Sequence, residues 1–298
     1  MGKRILLFVL TNFLIMAMLS LVLSVLGVRP YLTAQGIDYG SLMAFCAVWG
    51  MGGSLISLML SKTMAKWMMG VQIIDPSTTQ ADQRELVALV HRLATSANLP
   101  KMPEVGVYES PEVNAFATGP SRANSLVAVS TGLLARMNRG ELEGVLGHEV
   151  THIANGDMVT MTLLQGVVNA FVMFFARIVA FAVAQAMRGD DERSPSFLVQ
   201  QLLVFVFDIA FGLLGSMVVC AFSRHREFRA DYGGARLAGR DRMIGALDSL
   251  RRTQQMIDTG HPSFQSLKIA GAPKGIMAFL TTHPPLEVRI ERLKQAQI

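Results

Sequence analysis

The stretch GELEGVLGHEVTHIAN, residues 140–155, decides how the rest of the chain is read. Leu142, Leu146, Val150 and Ile153 recur at helical spacing and make one apolar side, so the segment is predicted to be a helix with a face in a core. On it stands His148-Glu149-Val150-Thr151-His152, an H-E-x-x-H match. Residues four apart share a helix face, so both imidazoles can meet one zinc ion, each at about 2.0–2.1 Å, with the Glu149 carboxylate beside the attacking water. Five residues thus supply two ligands and a general base.

Two histidines and a water leave tetrahedral zinc one protein ligand short. None of the chain's six histidines follows at the metzincin spacing H-E-x-x-H-x-x-G-x-x-H, so a carboxylate is expected as the third ligand. SRHREFRAD, residues 223–231, offers Glu227 and Asp231 four apart. A helix would show both to one neighbour, one as ligand and the other as the acceptor that orients a liganded imidazole. Spacing alone equally allows both to pair with Arg224, Arg226 or Arg229 on a solvated face. His91, His225 and His261 have no partner spacing and read as surface histidines.

Moving outward, the chain turns apolar on both sides of these motifs. Of its 298 residues 51% are hydrophobic and 16% charged, against about 25% charged in soluble domains. Residues 5–28 and 39–61 carry no charge, and each is long enough to cross the hydrocarbon core. The first exceeds a signal-peptide core and has no A-x-A-like cleavage site, so it is read as a span. Residues 158–187 and 194–223 are apolar except for Arg177 and Asp208, and form two spans or an interfacial hairpin around the polar turn RGDDERSPS, residues 188–196. An unpaired charge at mid-bilayer is costly, so Arg177 and Asp208, at similar depth across the hairpin, are expected to pair or face protein interior.

Lys3, Arg4, Lys62, Lys66, Arg224, Arg226, Arg229 and Arg236 fall on one side of these segments and Arg29, Arg188 and Arg193 on the other, which puts both termini in the cytoplasm. Parity agrees: His152 and Glu227 can share one metal only if the chain crosses the membrane an even number of times between them. Residues 62–157 and 224–298 then form one cytoplasmic domain interrupted by the hairpin 158–223, with two transmembrane helices in 1–61. Within the domain, residues 81–97 have helical spacing, and 104–108 and 125–130 read as short strands. The net charge of +5 is not gathered into an aromatic-laced basic stripe, so no nucleic-acid partner is expected. Cys46 and Cys220 lie in apolar runs and form no disulfide framework.

H-E-x-x-H followed by EFRAD (227–231), with NAFATG (114–119) upstream and THPP (282–285) then Arg289 downstream, resembles the HtpX family along essentially the whole chain. Its members are bacterial, membrane-embedded, zinc-dependent proteases related to the prenyl-protein (CaaX) proteases. The resemblance implies one zinc held by His148, His152 and Glu227, Glu149 as base, Asp231 behind a ligand, and quality control of unfolded or damaged membrane proteins at the bacterial inner membrane. It further implies that Asn114, Ala115, Phe116 and Ala117, otherwise a plain strand ending in a Gly-Pro turn, form an edge that pairs with extended substrate. His283 would donate to the oxyanion, with Arg289 in the same role or holding Glu227 and Asp231.

The expected fold is α+β: about four transmembrane helices and a mostly helical, gluzincin-like cytoplasmic protease domain with a small sheet. Two rivals stand beside it. Prenyl-dependent cleavage would need a larger helical chamber than four apolar segments offer, and a zinc-stabilised scaffold without turnover should lack a base, whereas Glu149 is present.

Overall fold

The computed structural model describes residues 17–28, 32–33, 36–187, 197–260 and 280–297, leaving aside the side chains of 254–260. Residues 1–16, which include much of the first apolar segment, lie outside them, as do the whole polar turn 188–196 and His261; residues 17–25 are helical (α1). The described chain groups into two units, one from Met1–Ser57 and Met161–Val219, the other from Leu58–Thr160 and Cys220–Ile298.

In the first unit a short hairpin, β1 (Leu32–Thr33) with β2 (Gly36–Ile37), precedes α2 (Tyr39–Met68). With α6 (Asp157–Ala186) and α7 (Phe197–Ala238), α2 is, among the described residues, one of three helices long and apolar enough to cross a membrane. These are the second, third and fourth of the expected spans. Backbones meet closely where α2 passes α6: a Cβ on Gly50 would stand 2.5 Å from the Ala170 nitrogen. Small residues permit such contact in lipid, where there is no hydrophobic drive to hold helices together. Arg177 and Asp208 approach to 3.8 Å, and the guanidinium also donates to the Met173 carbonyl at 3.0 Å and lies 5.4 Å from the centre of the Phe45 ring.

Instead of ending near residue 223, where the apolar run stops, α7 continues to Ala238 and carries Glu227 and Asp231 on the same helix. The loss of apolar character there is not a helix stop. Arg, Glu and Ala are good helix formers, and the helix ends only at Gly239, whose φ of 104° lies in the region that favours glycine.

The second unit is built on a four-stranded sheet of order β3-β4-β6-β5, from β3 (Gln72–Ile73), β4 (Glu104–Tyr108), β5 (Ala115–Ser121) and β6 (Asn124–Ser130). β4 and β6 run parallel, with Val105 opposite Val127 and Val107 opposite Val129. β6 is buried along Ser125–Ser130, which explains its unbroken apolar run. Among the described residues β5 pairs antiparallel with β6 alone and so forms an edge. The expected Gly-Pro turn is instead part of β5: Gly119 and Pro120 fill an irregularity in register between Thr118 and Ser121, and an edge strand tolerates the proline's missing N–H.

Helix α3 (Ala81–Ser96) buries Leu86, Leu89, Val90 and Leu93, the predicted stripe, against Val127 and Val129 of the sheet and against Leu146, Val150 and Ile153 of α5 (Arg139–Asn155). A short α4 (Thr131–Arg136) precedes α5. α5 begins in a capping box, with Asn138 accepting from the Glu141 nitrogen and Glu141 accepting from the Asn138 nitrogen. α8 (Arg240–Gly260) packs on α5, and α9 (Leu286–Gln295) packs on α8.

Candidate active site

The apolar side of α5 faces the core, and this leaves His148, Glu149 and His152 on a face that looks toward α7 and β5. How near α7 can come is set by glycine. A Cβ on Gly234 would meet the His148 nitrogen at 2.9 Å, and one on Gly233 would meet Thr151 Cγ2 at 2.3 Å. Gly234 lies on the same α7 face as Glu227 and Asp231, so the close approach carries both carboxylates to the two imidazoles.

Three ligand-type atoms converge. His148 Nε2 and His152 Nε2 lie 3.1 Å apart, Glu227 Oε2 is 3.4 Å from the first, and Glu227 Oε1 is 3.3 Å from the second. Ligand atoms bound at about 2.0–2.1 Å around a tetrahedral centre stand roughly 3.3 Å apart, so the spacing fits a metal ion. These three residues form a group whose ligand atoms all lie within 4.8 Å of one another, and all three are buried.

Carboxylates stand behind both imidazoles. His152 Nδ1 hydrogen-bonds Asp157 Oδ2 at 2.6 Å. His148 Nδ1 lies 3.0 Å from Asp231 Oδ1, off the line of a good hydrogen bond. Such partners keep the ring proton on Nδ1 and turn the Nε2 lone pairs inward. Asp231 is itself held by a bidentate pair from buried Arg289, at 2.8 and 2.6 Å.

This electrostatic arrangement shifts the groups strongly. Burial opposes the charge on His148, but Asp231 and Glu227 outweigh it and raise the imidazole to about 9. Burial opposes the charge on Glu227 as well, yet His148, His152 and His283 hold its carboxyl far below the usual range. Burial likewise opposes the charges of Asp231 and Arg289, and their mutual pairing keeps the acid lowered and the guanidinium raised. A buried cluster of acids and imidazoles with this balance suits a divalent cation, which replaces the ring protons.

Glu149 has no hydrogen-bond or ion-pair partner among the described residues and is half-buried. It lines two clefts. One, of about 310 Å³, is bounded by Asn114, Ala115, Phe116, Ala117, His152 and Arg226 among others; the second, of about 190 Å³, is mostly apolar, with Leu133, Val145, Met243 and Leu247. His148, Glu149, Glu227 and His283 border both. Ala115, Phe116 and Ala117 lie in edge strand β5, while Asn114 precedes it and is tied to Ser130 through its backbone.

His283 is joined to Glu227, Nδ1 to Oε2 at 2.8 Å, and its side chain is 62% exposed. Arg289 reaches Glu227 only at 3.7 Å, since both of its short bonds go to Asp231. His91 contacts the Pro103 carbonyl, and His225 is exposed, both away from the metal-ligand group. Asp157 is the residue that sequence reasoning missed. Its reach to His152 depends on Gly156, which caps α5 with φ at 70° and turns the chain back within two residues of the helix end.

The converged ligand atoms, the partnerless glutamate between them and the spanning helices define a class: a membrane metalloprotease built on an H-E-x-x-H helix. Comparison with known proteins agrees. The family model described as "Peptidase family M48" matches residues 80–297. The chain is 52% identical to "Protease HtpX homolog" of Bacillus licheniformis over 99% of both chains, and 50% identical to the proteins of that name from Methylacidiphilum infernorum and Bacillus subtilis, again over 99% of each. The crystal structure of S. mikatae Ste24p shares the fold with a TM-score of 0.66 at 15% identity, covering 98% of this chain and 64% of that one. The chain belongs to peptidase family M48, among the HtpX proteases.

Proposed function

We propose that the protein is a zinc endopeptidase of the bacterial inner membrane that hydrolyses unfolded or damaged membrane proteins, with its active site and both termini on the cytoplasmic side. His148 Nε2, His152 Nε2 and one oxygen of Glu227 hold a single zinc, and Asp231 and Asp157 fix the two rings. Zinc at this position would supply Lewis-acid activation of the scissile carbonyl and of the attacking water. Glu149 takes the proton from that water and passes it to the leaving amine. His283, anchored through Nδ1 on Glu227, borders the cleft and donates to the oxyanion through its other ring nitrogen. Arg289 acts through Asp231 as a positioning residue.

The observation that carries the reading is the partnerless Glu149 carboxylate beside three converged ligand atoms. Substrate is recognised as an added strand on the free edge of β5, with Asn114 closing its start. Main-chain pairing of that kind favours unfolded chains and broad specificity. The two cytoplasmic pieces, 62–157 and 224–298, make the protease domain, with spans in 1–61 and 158–223. The bias of Lys and Arg toward one side supports this orientation.

Unfolded casein and a prenylated C-terminal peptide, each offered to the zinc-loaded protein in detergent, test the assignment. Casein should be cut, and the prenylated peptide should fare no better than its unmodified twin. Cleavage of the prenylated peptide alone, near its modified cysteine, would overturn it.

A further inference from the structure

On the other side of Asp231 from the metal ligands, the protease unit holds a cavity of about 550 Å³ that peptide hydrolysis does not use. It opens between α7, α9 and the end of α5. His225, Phe228, Arg229, Tyr232 and Arg236 line it at positions i, i+3, i+4, i+7 and i+11 of α7, one continuous helix stripe. Arg292 faces them from α9, and the Arg289–Asp231 pair forms the base.

The charge of this cavity is unbalanced. Asp231, its one lining carboxylate among the described residues, already takes both short bonds of Arg289. Arg229, Arg236 and Arg292 have no ion-pair partner among the described residues. Three guanidiniums around one concavity repel one another and raise the local concentration of anions. The Arg292 guanidinium lies 4.1 Å from the centre of the Phe228 ring, a cation–π contact with another residue of the cavity wall. Orientation signals of the positive-inside kind account for arginines that follow a span, such as Arg229. They do not account for Arg292, which belongs to the last helix, well beyond α7 in the chain.

We propose that this cavity is a binding site for a phosphate-bearing anion, held by Arg229, Arg236 and Arg292. Planar guanidinium forks match phosphate oxygens two at a time, and three of them around one cavity suit a compact, multiply charged group better than a single carboxylate. An anionic lipid headgroup and a soluble phosphate share this chemistry.

Labelled inorganic phosphate, equilibrated at constant ionic strength with the full zinc-loaded chain in neutral detergent, provides the direct test. One saturable site per chain is expected. Arg236→Gln with Arg292→Gln should weaken it at least about tenfold, on the scale of lost charge-assisted hydrogen bonds, while zinc content stays unchanged. Nanodiscs distinguish the sources. If phosphatidylglycerol discs displace the labelled phosphate and phosphatidylcholine discs do not, the ligand is a lipid headgroup; if neither displaces it, the ligand is a soluble phosphate. Absence of saturable binding, binding untouched by the double substitution, or a poly-glutamate peptide bound as tightly as phosphate would each overturn the proposal.

Discussion

Gly234→Ala should cost the protein its metal before it costs the protein its fold. The new methyl carbon would stand 2.9 Å from the His148 nitrogen, 3.1 Å from its Cα and 3.1 Å from Met243 Sδ. Ordinary contacts of this kind are about 3.5–4.0 Å, so α7 must retreat from α5 by roughly half an ångström. Two of the three obstacles belong to a ligand residue, and its backbone cannot rotate aside. Metal sites tolerate about 0.2 Å of error in ligand position, so a retreating α7 takes Glu227 out of range. Overpacking costs about 1–3 kcal/mol, and the higher helix propensity of alanine returns about 1 kcal/mol. Metal-free stability should therefore fall by no more than about 2 kcal/mol, whereas zinc affinity should drop by about 10- to 100-fold, the scale of a disturbed ligand orientation. Zinc content after dialysis against graded zinc buffers, followed with casein cleavage, reads the effect. Gly212→Ala, with no atom within 4 Å of its added carbon, is the control. A Gly234→Ala protein with unchanged zinc affinity and turnover would refute the argument that glycine sets the helix separation.

Three other outcomes are expected. Glu149→Gln should keep its zinc and lose about 10²- to 10⁴-fold in turnover, and normal casein cleavage by this variant would remove Glu149 as the base. Asp157→Asn should lower zinc affinity by about 10- to 100-fold through the orientation of His152, as measured by competition with a chelating dye; unchanged affinity would reduce the 2.6 Å contact to local structure. The metal-free protein should lose stability as pH rises from the ordinary imidazole value of 6.5 through about 9, because the raised His148 contributes only while it can be protonated. Zinc must displace that proton, so its apparent affinity should strengthen over the same window. Thermal unfolding with and without zinc checks both signs, and parallel pH profiles would contradict them.

The parts of this arrangement visible in the sequence are those set by local spacing. His148 and His152 face one way because they are four apart on a helix whose other side is apolar, and the spans announce themselves by the absence of charge. The stripe of α3 and the buried run of β6 were equally readable. What escaped depends on where backbones turn or meet. Asp157 reaches His152 only through the left-handed turn at Gly156, which pattern alone does not distinguish from an ordinary helix end. The Gly119-Pro120 pair reads as a turn, yet it lies in an edge strand that needs no N–H at that point. Helix α7 runs past Ser223 because a change from apolar to charged residues alters what surrounds a helix and not whether it forms. The cavity between α7 and α9 required both helices to be placed, since its arginines come from segments far apart in the chain.

The central claim is that His148, His152 and Glu227 hold one zinc on which peptide hydrolysis depends. Full-length protein and Glu227→Ala, each stripped with chelator and refilled with stoichiometric zinc in detergent, should be assayed together for bound metal and casein cleavage. The account predicts one zinc per chain and restored cleavage in the parent, with neither in Glu227→Ala. Casein cleavage by the stripped parent, or one tightly held zinc in Glu227→Ala, would contradict it.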